Sequence, residues 1–140
     1  MRDGWTSRKR ILIAEDDPLT LKTLKLRLEH EGFEALPAKD GLEALQEVEQ
    51  DSPIDLILLD ILMPRLDGYE VCVRLKSQPE TARIPIIVMT ASDNPTVELS
   101  DWCIEKGIES WIRKPFRTEE LIAEIHKVLK NQQTEGGLDG

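Results

Sequence analysis

The chain has 140 residues, 40% hydrophobic and 32% charged, which is the length of one domain with enough apolar mass for a single core. A net charge of −9 argues against direct binding to a nucleic-acid backbone or an anionic membrane surface. No apolar run approaches the ~18 residues of a membrane span, and residues 1–10 lack the apolar stretch of a secretory signal. A cytoplasmic location without a membrane partner is therefore expected.

Residues 1–9 read as an N-terminal flank that includes Trp5. Residues 10–130 read as the domain. Residues 131–140 are polar and glycine-rich, so they read as a flexible tail or linker stub. Within the domain, short apolar runs alternate with amphipathic stretches. Ile11-Leu12-Ile13-Ala14 has no polar interruption, as a strand buried on both faces requires. Asp17 then caps a first helix opened by Pro18, with Leu21, Leu24, Leu26 and Leu28 on its apolar side and Gly32 at its stop. Phe33 to Ala38 is a weaker second strand. Asp40 caps a second helix carrying Leu42, Leu45 and Val48.

Ile54 to Asp60 is the third strand, apolar apart from Asp55 and ending on an acid. A third helix begins near Asp67-Gly68 and carries Val71 and Leu75. Ile86 to Thr90 follows Pro85 as a β-branched fourth strand. A fourth helix lies within Thr96 to Lys106, stopped by Gly107. Glu109 to Arg113 is the fifth strand. The last helix starts after Thr118, with Glu119 and Glu120 in its first turn and Lys127 and Lys130 near its end, each on the favourable side of the helix dipole. This order, β-α five times, predicts an α/β fold: a flavodoxin-like (βα)5 three-layer sandwich whose parallel sheet has the order 2-1-3-4-5.

In such sheets ligands bind beyond the carboxyl ends of the strands. Here those ends are Glu15-Asp16-Asp17, Asp60, Thr90 and Lys114-Pro115. Two unit charges ~4 Å apart repel by roughly 4 kcal/mol at an effective dielectric near 20. A gathered set of carboxylates therefore needs a shared proton or a cation among them. All-oxygen donors with an open position suit Mg²⁺, or Mn²⁺ in its place. A carboxylate beside such an ion can attack a phosphoryl group. Lys114, the Thr90 hydroxyl and backbone N–H groups can then stabilise the oxygens around phosphorus.

Four pieces carry a resemblance: Ile11-Leu12-Ile13-Ala14-Glu15-Asp16-Asp17-Pro18, Leu58-Leu59-Asp60-Ile61-Leu62-Met63-Pro64-Arg65-Leu66-Asp67-Gly68, Thr90-Ala91, and Lys114-Pro115-Phe116. Together, in this order, the chain resembles the receiver domains of bacterial two-component response regulators. The resemblance implies that Asp60 is the phospho-acceptor and that Glu15, Asp16 and Asp60 hold the metal, joined by the Leu62 backbone carbonyl. It implies that Thr90 is the switch hydroxyl, that Lys114 is the phosphate-contacting lysine and that the Lys114-Pro115 bond is cis. The implied donor is a histidine kinase or histidine phosphotransfer protein. The implied readout is an output domain, an effector protein or a homodimer through the fourth helix, fifth strand and last helix. A signalling domain, not an enzyme, is expected.

One position departs from the family pattern. Trp111 stands where the family's switch aromatic is usually Tyr or Phe, which keeps a phosphorylation-independent interaction module as the alternative. A phosphohydrolase with an aspartate nucleophile is disfavoured: its Asp-x-Asp pair would follow the first strand, and this chain has no length for a cap domain. Cys72 and Cys103 lack CxxC spacing and read as reduced thiols, and His30 and His126 have no clustered ligand partners.

Overall fold

The computed structural model describes residues 8–50, 53–61, 68–90 and 97–139. Trp5, Leu62, Met63-Pro64, Asp67, Ala91 and Thr96 lie outside them. The elements run β1 (Arg10–Ala14), α1 (Pro18–His30), β2 (Glu34–Ala38), α2 (Gly41–Val48), β3 (Leu56–Asp60), α3 (Gly68–Lys76), α4 (Pro79–Ala82), β4 (Ile86–Thr90), α5 (Val97–Lys106), β5 (Ser110–Arg113) and α6 (Thr118–Asp139). The helix read as fourth from the sequence is thus α5, and the last is α6. All strand pairs are parallel and the sheet order is β2-β1-β3-β4-β5, as expected.

Side-chain alternation along the strands splits the core in two. Leu12, Ala14, Ile57, Leu59, Ile86 and Val88 pack with Ala44 of α2, Val71, Cys72 and Leu75 of α3, and Cys103 of α5. Ile11, Ile13, Leu56, Leu58, Ile87 and Met89 face Leu24 and Leu28 of α1 and Leu121, Ile122, Ile125 and Val128 of α6. The central strands β3 and β4 are buried along their whole length, which is why their sequences read as unbroken apolar runs.

The expected caps form. The Asp17 carboxylate accepts the Thr20 N–H at 3.0 Å, and the Asp40 carboxylate accepts the Glu43 N–H at 2.8 Å. Gly32 and Gly107 sit at positive φ, 96° and 73°, after α1 and α5, where a residue with a Cβ would be strained. The sheet's outer strand β2 contains the exposed Pro37, which has no N–H to offer.

Four readings need correction. Leu42 does not face the core: it is 38% exposed, and Ala44 takes the buried place on α2. Leu26 is likewise exposed on α1, because one helix packing on a sheet buries only one stripe and Leu24 and Leu28 already fill it. The single-turn α4, opened by Pro79, has no counterpart among the expected elements; four residues give too short a pattern to read. Finally, α6 runs to Asp139, so residues 131–139 continue the last helix rather than ending it at 130. That stretch contains no proline, and Gly136 and Gly137 cost about 1 kcal/mol each relative to alanine without blocking a helix.

Both cysteines are buried and free. Burial pushes the Cys72 thiol up to about 12 and the Cys103 thiol up to about 11. Both should resist a maleimide at pH 8 in the native protein and react at once in urea, because the thiolate is the nucleophile. Fast native labelling would contradict this packing. The native state also holds these protons where the unfolded chain, with a thiol value of ~8.5, releases them. Their contribution to stability is therefore fully present below that value and is lost as pH rises from there through the native values.

Candidate metal and phosphoryl-acceptor site

The parallel register brings the carboxyl ends of β1, β3 and β4 level. Ala14 pairs with Leu59, and Asp60 pairs with Met89, one residue before Thr90. Two backbone bonds extend the ladder past the strand ends: Glu15 N–H donates to Ala38 O at 3.0 Å, and Ile61 N–H donates to Met89 O at 3.0 Å. The Lys114 N–H donates to Thr90 O at 2.6 Å, which ties the segment after β5 to the same edge. The Lys114-Pro115 peptide bond is cis, as the resemblance implied.

Glu15, Asp60 and Thr90 are buried, whereas Asp16 is exposed. One carboxylate oxygen each of Glu15, Asp16 and Asp60 lies within 4.8 Å of the others. Lys114 Nζ stands 2.5 Å from Glu15 Oε1 and 3.2 Å from Asp60 Oδ2. The other Glu15 oxygen accepts the Asp17 N–H at 3.1 Å. Asp17 itself is turned to its capping role and to the Thr20 hydroxyl.

The charges explain what this arrangement can hold. Burial raises the Glu15 carboxyl above its ordinary range. The Lys114 hydrogen bond and the Asp17 N–H oppose that shift, and the Asp60 charge adds to it. Burial works against the Lys114 ammonium, but the Glu15 hydrogen bond and the Asp60 and Glu15 charges outweigh it, so its proton is held more tightly than usual. Three carboxylates against one ammonium give the cluster a formal excess of two negative charges. Mg–O bonds of 2.0–2.1 Å place opposite ligand oxygens ~4.2 Å apart. The three acids thus suit a small divalent cation by charge and by donor chemistry, and they lie close enough together to converge on one.

Gly68 supplies a constraint that its place in the motif did not reveal. A Cβ there would sit 2.6 Å from Asp60 O and 2.6 Å from Ile61 Cα, and the Gly68 N–H donates to Ile61 O at 2.9 Å. The first turn of α3 therefore rests directly on the backbone that carries Asp60. Gly68→Ala must push that backbone aside and is expected to cost about 1–3 kcal/mol. Urea titration would test this, and an unchanged midpoint would contradict it.

Strand alternation puts Thr90 and Trp111 on the same side of the sheet. Trp111 pairs with Val88, is half-buried and packs with Trp102 against the α3/α5 cluster. Leu62 lies outside the described residues. Sequence reasoning also missed a groove lined in part by Lys114. Leu19, Thr20, Thr23 and Leu24 of α1 line it together with Pro115 and Phe116. The only sequence sign was Leu19, an apolar residue off the buried stripe, and it is 72% exposed.

A doubly wound parallel sheet of order 2-1-3-4-5 that gathers acids, a buried hydroxyl and a lysine at its carboxyl edge places the chain in the flavodoxin-like class. The family model described as the response regulator receiver domain matches residues 11–126. The chain belongs to that family, the receiver domains of two-component systems. Response regulator MprA of Mycobacterium leprae is 39% identical over 121 residues, which are 86% of this chain and 51% of that protein. MprA of Mycobacterium ulcerans is 36% identical over 126 residues, 90% of this chain and 52% of that protein. The chain thus spans about half the length of these relatives. A CheY-like receiver domain protein from Methanospirillum hungatei JF-1 superposes with a TM-score of 0.83 at 30% identity, covering 92% of this chain and 99% of that one. The receiver domain of a sensor histidine kinase from Pseudomonas aeruginosa PAO1, solved with magnesium coordinated in its active site cleft, gives 0.77 at 28% identity, covering 89% and 99%.

Proposed function

We propose that Asp60 accepts a phosphoryl group from the phosphohistidine of a histidine kinase or histidine phosphotransfer protein, with Mg²⁺ or Mn²⁺ required. One observation carries this reading. Asp60 is buried at the end of β3, with Lys114 Nζ 3.2 Å from one oxygen and the Glu15 and Asp16 carboxylates within 4.8 Å. Glu15, Asp16 and Asp60 would hold the cation. The Leu62 carbonyl joins them on resemblance alone. When bound, the cation supplies positive charge against the transferring oxygens.

The chain's own groups do the rest. An Asp60 oxygen bonds to phosphorus as the donor's P–N bond breaks, and the electron pair of that bond stays on the histidine nitrogen. Asp60 is fixed for attack by the β3–β4 ladder and by Gly68 beneath its backbone. Lys114 turns from the carboxylates to the new phosphoryl oxygens, and the Thr90 hydroxyl donates to another. The added group carries roughly −1.5 to −2 charge, which draws these donors inward and shifts α5, β5 and α6.

The groove lined by Lys114 suits docking of the donor, since it offers Leu19, Leu24, Pro115 and Phe116 for contact next to the lysine that pairs with Asp60. The α5–β5–α6 face is assigned to the readout: an output domain, an effector or a second copy. Among the described residues no helix is long and apolar enough to cross a membrane. Trp111 favours the second reading, a module that works without phosphate, because a ring larger than the family's usual Tyr or Phe fills the switch position.

The test is labelling by acetyl phosphate with and without Mg²⁺, mapped by mass spectrometry after the acyl phosphate is trapped. One phosphoryl group on Asp60, dependent on the cation, is expected. Labelling elsewhere, or none, refutes the assignment.

A further inference from the structure

We propose that the ring contact between Tyr69 and Trp102 carries the state of the acceptor site to α5 by a route separate from Thr90 and Trp111. This inference rests on the reading of Asp60 as acceptor.

The route begins at a contact with no slack. The missing side chain of Gly68 is what lets α3 touch the backbone of Asp60 and Ile61, and a hydrogen bond of 2.9 Å from Gly68 N–H to Ile61 O closes the junction. A close-packed contact transmits displacement instead of absorbing it. A small shift of the backbone at Asp60 must therefore move the first turn of α3.

Tyr69 is the next residue in that turn. Its ring meets the indole of Trp102 edge-to-face, with centroids 4.9 Å apart and planes at 81°. This geometry sets the positive edge of one ring against the negative face of the other, and it weakens when either ring tilts or slides. Trp102 sits on α5, half-buried against the cluster that also holds Cys103 and Trp111.

The contact is suited to switching because it lies at the surface. Tyr69 is 40% exposed, so the rings can part without opening the core. Val71, Cys72 and Leu75 are buried and keep the rest of α3 in place. A bistable element that one site biases and another region reads is what coupling requires. An edge-to-face pair made in one state only shifts a two-state equilibrium roughly two- to tenfold.

The test makes Trp102 the sole tryptophan, through Trp5→Phe and Trp111→Phe in the full chain, and follows its emission on adding acetyl phosphate and Mg²⁺. Labelling of Asp60 is quantified on the same samples by mass spectrometry. The expected result is a change in Trp102 emission that rises with labelling, persists with Trp111→Phe in place, survives Tyr69→Phe and is lost in Tyr69→Leu at equal labelling. Each variant's thermal unfolding is recorded. If Tyr69→Leu fails to fold, Tyr69→Ala decides the matter by the same criterion, loss of the response at equal labelling. Labelling without a Trp102 response overturns the inference alone. So does a response that Tyr69→Leu leaves intact. Absence of labelling overturns the acceptor reading and this inference with it.

Discussion

Asp60→Asn is expected to abolish phosphoryl labelling by acetyl phosphate, a loss to background rather than a reduction. The amide keeps the size and most of the hydrogen bonding of the carboxylate but is no nucleophile toward phosphorus. The rest of the site keeps its positions, because β3 is held by ladders on both sides and Asp60 lies at its very end. The same substitution removes one of the three carboxylates that gather within 4.8 Å. It should therefore also weaken Mg²⁺ binding in a calorimetric titration while leaving the fold about as stable in the cation's absence, since the repulsion of Asp60 by Glu15 and Asp16 is relieved while Lys114 keeps its nearer partner Glu15. Labelling of the Asp60→Asn protein at the wild-type stoichiometry would place the acceptor elsewhere.

Lys114→Met is expected to slow labelling of Asp60 by roughly 10²–10³-fold, the size of effect seen when one preorganised donor to a developing charge is deleted. The ammonium bridges Glu15 at 2.5 Å and Asp60 at 3.2 Å, so the methionine also leaves two close acids without this counter-charge. Breaking a fully buried pair costs about 3–5 kcal/mol. The Lys114 side chain is 22% exposed, so solvent takes up part of the loss and about 1–3 kcal/mol is expected. Mg²⁺ should restore much of that stability in urea titrations by taking over the neutralising role, but not the labelling rate. A variant that labels at the wild-type rate would remove Lys114 from the chemistry.

The strands that build the site were legible for one physical reason. A strand covered by helices on both faces has no polar side, so Ile11–Ala14, Leu56–Leu59 and Ile86–Met89 stand out as apolar runs, and the polar residue ending each run marks the sheet edge. Cys72 and Cys103 were also legible as reduced thiols. What stayed hidden depends on long-range contact. Lys76 looks like any helix-surface lysine, yet its ammonium donates to Ala82 O at 2.9 Å, to Ile84 O at 3.1 Å and to Glu109 at 3.4 Å. Glu109 reads as the start of β5, but its carboxylate accepts the Ile86 N–H at 2.8 Å and fixes the entry to β4. Gly68 was legible as a turn residue but not as the point where α3 rests on Asp60. Leu42 misleads because a short helix of eight residues offers two leucines and an alanine to the core, and spacing alone does not say which is turned inward.

Pro37 has a bearing on how this protein meets others. A flank strand with a full row of amide donors invites a foreign strand to join it, and that is the route to runaway sheet growth. Pro37 interrupts the row on β2, and on the opposite flank β5 is only four residues long and ends in the exposed Arg113. Both sides of the sheet are thus poor templates for strand addition. Strand addition is disfavoured as a way for another chain to join this sheet.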